Sequence, residues 1–211
     1  GLQEPMTLTL GTSTHGGVTV TLTSADPQTL VLAPDGATEG TSSIDVDVPD
    51  GQSSVTYWIQ GWEGTTGSVA VTASAPGFTD GSNTSDVVQP GIMLGGLGGS
   101  TTTLSVDDEF YAFIGYPSGS GVNTQQVRAG GQPVTVTFRT NDTGVGRLTD
   151  GVNSGGSATA VIPIGDDNTP TTVAAGGVAH DPVGPGTATI TATAPELIST
   201  TNAFQDVTIN P

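Results

Sequence analysis

Hydrophobic and polar residues alternate over short stretches along most of the chain. Residues 6–10 (MTLTL) place Met and Leu on one face and Thr on the other, and residues 44–48 (IDVDV) place Ile and Val opposite Asp. A period of two predicts β-strands with one buried face. Turn residues such as Pro49-Asp50-Gly51 separate these stretches, about every 8 to 12 residues. This spacing predicts an all-β fold, a β-sandwich of immunoglobulin-like type.

The pattern occurs twice in the same order. Residues 18–26 (VTVTLTSAD) return as residues 134–142 (VTVTFRTND), and residues 67–78 (GSVAVTASAPGF) return as residues 186–197 (GTATITATAPEL). A sequence that repeats itself in a constant order indicates that one structural module has been duplicated. We therefore predict two tandem immunoglobulin-like β-sandwich domains.

The two predicted domains, residues 1–91 and 92–211, differ at their starts. The second has residues 101–106 ahead of its strand at Phe110, whereas the first has only a few residues ahead of Met6. The first sandwich is therefore expected to lack its opening strand, or to take that strand from preceding chain.

The charge of the chain limits its partners. Twenty acidic residues stand against three arginines, which gives a formal net charge of −17. Such a surface repels phosphate backbones and anionic membranes, so we expect no nucleic acid partner and no membrane insertion. The sequence also lacks an apolar run of the roughly 18 residues that a membrane span needs. It contains no cysteine, which fits an extracellular bacterial module built without disulfides.

Three short motifs carry a resemblance to a known family. They are the Ser-x-Asp-Pro turn at residues 24–27, the Val-Pro-x-Gly-Gln turn at 48–52 and the Thr-Ala-Ser-Ala-Pro-Gly sequence at 72–77. With these motifs the chain resembles the tandem bacterial immunoglobulin-like (Big, adhesin-type) repeats of large surface proteins, over nearly its whole length. The second copy departs from the pattern at residues 162–166 (IPIGD). The resemblance implies a sandwich fold, an extracellular location and a spacing or adhesive role, and it supplies no catalytic residues.

Residues for catalysis are scarce. His15 and His180 are the only histidines, and they stand at non-equivalent positions of the two copies. The sequence has no Gly-x-Ser-x-Gly elbow, no His-Glu-x-x-His motif and no P-loop lysine. We therefore predict that the protein is not an enzyme.

An acidic run suggests a cation site. Asp107, Asp108 and Glu109 precede the Phe110 strand, close to the join between the copies. Calcium prefers several carboxylate and carbonyl oxygens, which such a run can supply. We predict calcium as the one candidate cofactor, with ordinary solvated turn residues as the alternative. A melting temperature that rises with calcium and falls with chelator is the expected result, and one that neither changes would exclude the site.

The two tryptophans lie on the predicted outer side of a strand. A period of two in residues 55–62 (VTYWIQGW) puts Tyr57 and Ile59 on the core face and Trp58 and Trp62 on the opposite face. Exposed tryptophans stack on sugar rings or pack against a neighbouring copy. The alternative is that one of them belongs to the core and the other covers a loop.

These observations lead to two functional hypotheses. The first is a structural or adhesive module of a large extracellular bacterial surface protein, serving as a stalk, fibre or surface-layer building block. Its partners would be neighbouring copies of the repeat or other surface proteins. The second is a carbohydrate-binding module of a secreted protein that uses exposed Trp58 and Trp62 to bind glycan.

Overall fold

A computed structural model describes residues 1–211, the whole sequence, and consists almost entirely of β-strands. The strands, numbered in chain order, are β1 (Leu2–Thr9), β2 (Val18–Ser24), β3 (Leu30–Ala33), β4 (Ser43–Val48), β5 (Ser54–Gly61), β6 (Gly67–Ser74), β7 (Gly81–Val87), β8 (Gly91–Gly95), β9 (Ser100–Thr102), β10 (Asp108–Ser118), β11 (Gly121–Thr124), β12 (Gln126–Val127), β13 (Val134–Thr140), β14 (Gly146–Thr149), β15 (Ser154–Gly155), β16 (Ser157–Ile162), β17 (Val178–Pro182), β18 (Gly186–Thr193), β19 (Ile198–Ser199) and β20 (Phe204–Asn210). Helix is limited to two single turns of 3₁₀-helix, Val173–Ala175 and Thr201–Ala203. Neither turn has the length or hydrophobicity needed to cross a membrane.

The chain divides into two compact units. Unit 1 comprises Gly1–Gln89 together with Val127–Gln132, and unit 2 comprises Pro90–Gln126 and Pro133–Pro211. The main boundary lies two residues before the one predicted at 91/92. The assignment of Val127–Gln132 to unit 1 is a feature that the sequence pattern does not indicate.

Unit 1 is a sandwich of two four-stranded sheets. One sheet has the order β12-β1-β5-β3 and the other β4-β2-β6-β7. Strands β1 and β5 run antiparallel over their whole length, from Gln3 opposite Gln60 to Thr9 opposite Ser54. The core of unit 1 lies between the sheets and contains the apolar residues that the period of two placed inward, among them Leu10, Val46, Val48, Tyr57 and Ile59. The all-β immunoglobulin-like prediction is confirmed for this half of the chain.

Unit 2 repeats the strand order of unit 1. Its sheets contain β14-β17-β10 and β16-β13-β18-β20, which match β3-β5-β1 and β4-β2-β6-β7. The short strands β8, β9, β11, β15 and β19 extend these two sheets. The core contains Phe110 and Phe138, whose rings meet edge to face at a centroid distance of 5.2 Å. The predicted tandem arrangement of two sandwiches is therefore confirmed by the topology.

The first strand of the repeated order is β1 in unit 1 and β10 in unit 2, and its neighbour in the sheet differs between the two units. In unit 2, β10 pairs with β8, which precedes it in the chain. In unit 1 the corresponding neighbour of β1 is β12, which comes from far later in the sequence. The sheet position that we expected to be empty, or filled by preceding chain, is thus filled by following chain.

One predicted strand of unit 2 is wrong. Residues 171–175 were expected to be extended, but Val173–Ala175 forms a 3₁₀ turn and the strand lies later, at β17. The turn closes through hydrogen bonds from the amides of Gly176 and Gly177 to the carbonyls of Val173 and Thr172. Gly176 adopts a φ of 93°, which L side chains disfavour, so the glycine ends the extended pattern at this point.

His180 of β17 is an unusual member of the unit 2 interior. Its side chain is fully buried, and neither ring nitrogen has a hydrogen-bond partner. Gly146 on the neighbouring strand leaves room for the ring, because a Cβ at that position would overlap Nε2. Burial lowers the pKa of His180, while the nearby carboxylates of Asp108, Asp181 and Asp107 act in the opposite direction.

This burial predicts an acid-sensitive unit 2. The pKa of His180 lies below its ordinary value of 6.5 in the folded state, so the unfolded state binds the proton more readily. Its contribution to stability is therefore lost as the pH falls below 6.5. We expect urea denaturation at pH 7.5 and pH 5.5 to show a smaller loss of unfolding free energy for His180→Leu than for wild type. Equal losses in the two proteins would contradict this assignment.

Candidate functional site

The most elaborate polar cluster of the molecule covers the outer face of the sheet β12-β1-β5-β3 in unit 1. Val31 and Ala33 of β3 point away from the sandwich core but are buried, as are Gln3 of β1 and Gln60 of β5. This sheet is therefore covered on both faces. The cover consists of the loop of residues 34–42 and of Val127–Gln132, which we call the 127–132 segment.

Gln60 ties the 34–42 loop to the sheet. Its Nε2 donates to the carbonyl of Thr38 at 2.9 Å, and its Oε1 accepts from the amide of Gly40 at 2.8 Å. The same Nε2 donates to Gln3 Oε1 at 3.0 Å, and Gln3 Nε2 in turn donates to the carbonyl of Gly36 at 2.7 Å. Both buried amide groups thus have partners, as buried polar groups require.

Gln3 also holds the 127–132 segment. Its Oε1 accepts a second hydrogen bond, from the amide of Ala129 at 2.9 Å. The amide of Arg128 donates to the carbonyl of Gly1 at 3.2 Å. The segment is therefore bound to unit 1 through its backbone as well as through its side chains.

Arg128 anchors the segment. Only 3% of its side chain is exposed, and its guanidinium donates hydrogen bonds to the Glu63 carboxylate from Nε at 3.0 Å and from Nη2 at 2.9 Å. The guanidinium carbon lies 4.0 Å from the centre of the Trp62 ring, within the range of a cation–π contact. Arginine suits this place because its planar group binds a carboxylate with two donors while stacking on an aromatic face.

The ion pair determines the charge state of Glu63. Burial acts to raise the pKa of this carboxyl, but the hydrogen bonds and charge of Arg128, the backbone amide of Glu63 and the charged N-terminus together outweigh burial and hold the pKa below its usual value. Both partners are therefore charged at neutral pH. Removing Glu63 would leave the buried guanidinium of Arg128 without its counterion, which is costly in a protein interior. Removing Arg128 would leave Glu63 with the N-terminal ammonium of Gly1 alone, at 3.3 Å.

Glycine permits the close fit of the 127–132 segment. Gly130 has a φ of +73°, and a Cβ there would overlap the side chain of Glu39. The Ala-Gly-Gly sequence after Arg128 therefore lets the backbone lie directly against the 34–42 loop.

The tryptophans do not lie as predicted. Tyr57 and Ile59 are in the core, so the predicted phase of β5 is confirmed. Trp58 and Trp62 are on the opposite face, but both are half-buried, and the prediction that they are exposed is wrong. The ring of Trp58 lies against Gly36 of the covering loop. Trp62 has Arg128 on its ring, and its indole N–H donates to the carbonyl of Pro27 at 3.0 Å.

Two of the three residues proposed for calcium accept hydrogen bonds from separate parts of the backbone. Asp108 Oδ2 accepts from the amide of Gly98 at 2.9 Å, and Glu109 Oε1 accepts from the amide of Val173 at 2.8 Å. Burial, together with the charge of Asp181, raises the pKa of Asp107. The structure contains no group of three or more acidic or histidine side chains placed to hold a metal. Calcium binding at Asp107, Asp108 and Glu109 stays a prediction.

Sequence reasoning missed the residues that make this cluster. Gln3, Gln60, Glu63 and Arg128 are separated by up to 125 residues, from Gln3 to Arg128 along the chain, and none belongs to a repeated motif. The sequence contained one indication of the cluster. Gln60 alternates with Trp58 and Trp62 and so lies on the same face of the strand, and a face that combines aromatic and amide side chains is typical of a covered surface. The partner segment, QVRAGGQ, has the composition of a turn.

Comparison with known proteins gives distant likenesses only. No family model matches the chain, and no curated protein matches it. Among solved structures, the adhesin InvE of Yersinia pseudotuberculosis is 18% identical over 99% of this chain and 54% of its own, with a TM-score of 0.36. The chain thus spans about half the length of the InvE structure. CBD12 from CALX1.2 is 11% identical over 91% of this chain and 73% of its own, with a TM-score of 0.28. The C-terminal domain of the Streptococcus agalactiae AgI/II polypeptide BspA is 9% identical over 91% and 84%, with a TM-score of 0.27. None of these likenesses is close enough to assign a function to this chain.

The anchoring role of Arg128 predicts a large loss of stability on its removal. Arg128→Ala should lower the unfolding free energy of unit 1 by roughly 1 to 3 kcal/mol, because it removes the hydrogen bonds to Glu63 and uncovers Trp62, and leaves Glu63 with only the Gly1 ammonium as counterion. Arg128→Lys should lower the unfolding free energy by a smaller amount. Lysine keeps the positive charge, but it cannot bind the carboxylate with two donors of a planar group. Tryptophan fluorescence during urea denaturation measures unit 1 selectively, because both tryptophans lie in it.

Arg147→Ala is the matched control for this experiment. Arg147 is exposed and makes a single hydrogen bond, from Nε to the carbonyl of Thr143 at 3.3 Å. Its replacement should change the unfolding free energy by no more than about 0.5 kcal/mol. If Arg128→Ala behaves like this control, the 127–132 segment does not stabilise unit 1.

Proposed function

We propose that this chain is a structural or adhesive module of a large extracellular bacterial surface protein, and that it transmits tension along a stalk or fibre. The observation that carries the proposal is the return of the chain at Val127 to complete the sheet of unit 1. When a chain leaves a sandwich domain and later contributes a further strand to it, force separates the two domains less easily than two domains joined by a single linker.

The strand arrangement of unit 1 supports this role. Strand β1 is bonded to β5 along its whole length on one side and to β12 on the other. A pull along β1 from its start therefore strains many backbone hydrogen bonds at once rather than opening them one after another. The Arg128–Glu63 pair adds a charge-assisted contact at the same end of the sheet.

The polar groups of the cluster favour a structural role over a chemical one. The side-chain amides of Gln3 and Gln60 and the guanidinium of Arg128 are occupied by internal hydrogen bonds. A general acid or base must have a proton or lone pair that it can offer to a substrate. These groups hold backbone in place instead, so we propose a non-enzymatic module.

Location and partners follow from composition. A net charge of −17 with no cysteine suits an extracellular protein in a salty medium, and we propose neighbouring copies or other surface proteins as partners. The half-buried positions of Trp58 and Trp62 give no support to the glycan-binding alternative, which needs an aromatic face open to a sugar ring.

Force spectroscopy on single molecules tests the proposal. We expect the full chain, pulled from its two ends, to show a distinct unfolding event of unit 1 at a force that Arg128→Ala lowers and the exposed control Arg147→Ala does not. The reason is that only Arg128 holds the 127–132 segment against the sheet of β1. An unfolding force of unit 1 that is the same in all three proteins would contradict a tension-bearing role of the segment.

A further inference from the structure

We propose that unit 1 is a receptor for the 127–132 segment of a second copy of this chain, so that two chains exchange these segments reciprocally. The site on unit 1 consists of the side of β1 that β12 occupies, together with Gln3, Trp62 and Glu63. The proposal goes beyond the tension-bearing role, because a segment bound within its own chain can bear tension without any exchange.

The chain connections permit exchange. The 127–132 segment packs with unit 1, yet it is flanked in sequence by strands of unit 2, β11 ending at Thr124 and β13 starting at Val134. The direct link from unit 1 to unit 2 is only residues 88–90, between the end of β7 and the start of β8. A short link between two units that share an interlocked element is the usual hinge of domain swapping, since only the hinge must change conformation.

The contacts themselves are specific for this segment. Glu63 and the ring of Trp62 select an arginine, and Gln3 Oε1 accepts the amide of the next residue, Ala129. Gly130 is required where the backbone meets Glu39. Only three cationic residues exist in the chain, and the other two, Arg139 and Arg147, lie in strands β13 and β14. The N-terminal ammonium of Gly1 also lies 3.3 Å from Glu63 Oε1, but it lacks the planar two-donor geometry of a guanidinium. An extended Val-Arg-Ala-Gly-Gly sequence from another copy therefore fits the site.

Concentration and salt decide between closure within one chain and exchange. The tethered segment has an effective concentration on the order of millimolar, so dilute protein closes on itself. Crowding of copies on a surface or in a fibre shifts the balance toward exchange. Two chains of charge −17 repel each other, so added salt should favour the exchanged form.

Charge reversal at the ion pair provides a sharp test. Glu63→Arg and Arg128→Glu each place like charges together within one chain and should release the segment. When the two variants are mixed, the unmodified Arg128 of the first variant can pair with the unmodified Glu63 of the second. The two introduced residues, one in each chain, also have opposite charges and can pair with each other. Light scattering after gel filtration should then show a species of twice the single-chain mass of 20.9 kDa that neither variant forms alone.

The double variant Glu63→Arg/Arg128→Glu is the control, because it restores opposite charges within one chain. It should remain a single chain and recover most of the melting temperature lost in the single variants. A mixture that stays at single-chain mass while the double variant recovers would overturn the proposal.

Wild-type protein supplies a second measurement in case the charge-reversed variants do not fold. After denaturation and refolding at increasing protein concentration, the two-chain fraction should rise, and a flexible insertion after Gln89 should lower it. Refolded protein that is a single chain at every concentration, at low and high salt, would overturn exchange.

Discussion

The partly buried ion pair between Arg128 and Glu63 is the contact on which unit 1 depends. Without the 127–132 segment, the outer face of its first sheet would expose Gln3, the ring of Trp62 and one side of β1. An open strand edge of that kind pairs readily with other chains. The ion pair therefore holds a segment that covers the outer face of the sheet and occupies the edge of β1. The arginine comes from sequence that lies between strands of unit 2, β11 and β13.

The sequence predicts what is local and periodic. Alternation identified the core faces of β4 and β5 correctly, since a strand that is buried on one side has an apolar residue at every second position. The duplication was visible because both copies keep the same strands in the same order. Prediction failed at residues 171–175, where two glycines end an extended-looking pattern with a 3₁₀ turn.

The candidate site could not be predicted in the same way. The alternation of residues in β5 places Trp58 and Trp62 on its outer face, but it does not indicate which part of the chain covers that face. Part of the cover is the six-residue 127–132 segment, of which only Val127 belongs to a β-strand. Its identity depends on a pairing between positions more than a hundred residues apart, and no local propensity encodes such a pairing.

The abundant aspartates illustrate a related point. Hydrogen bonds from backbone amides hold the pKa of Asp35, Asp50 and Asp150 below its usual range, each in a turn. Asp50, for example, accepts from the amides of His15 and Gly16. An acidic residue in this chain is thus often a turn-forming residue, which is the alternative we weighed against cation binding.

Amide hydrogen exchange of the native protein tests the central claim most directly. The amides of Arg128 and Ala129 bond to Gly1 and to the side chain of Gln3, so they should exchange only when unit 1 opens. The predicted result is that both amides are protected to the same degree as the paired amides of β1 and β5. Exchange of Arg128 and Ala129 at the rate of an unprotected loop, with β1 and β5 still protected, would contradict the view that this segment completes unit 1.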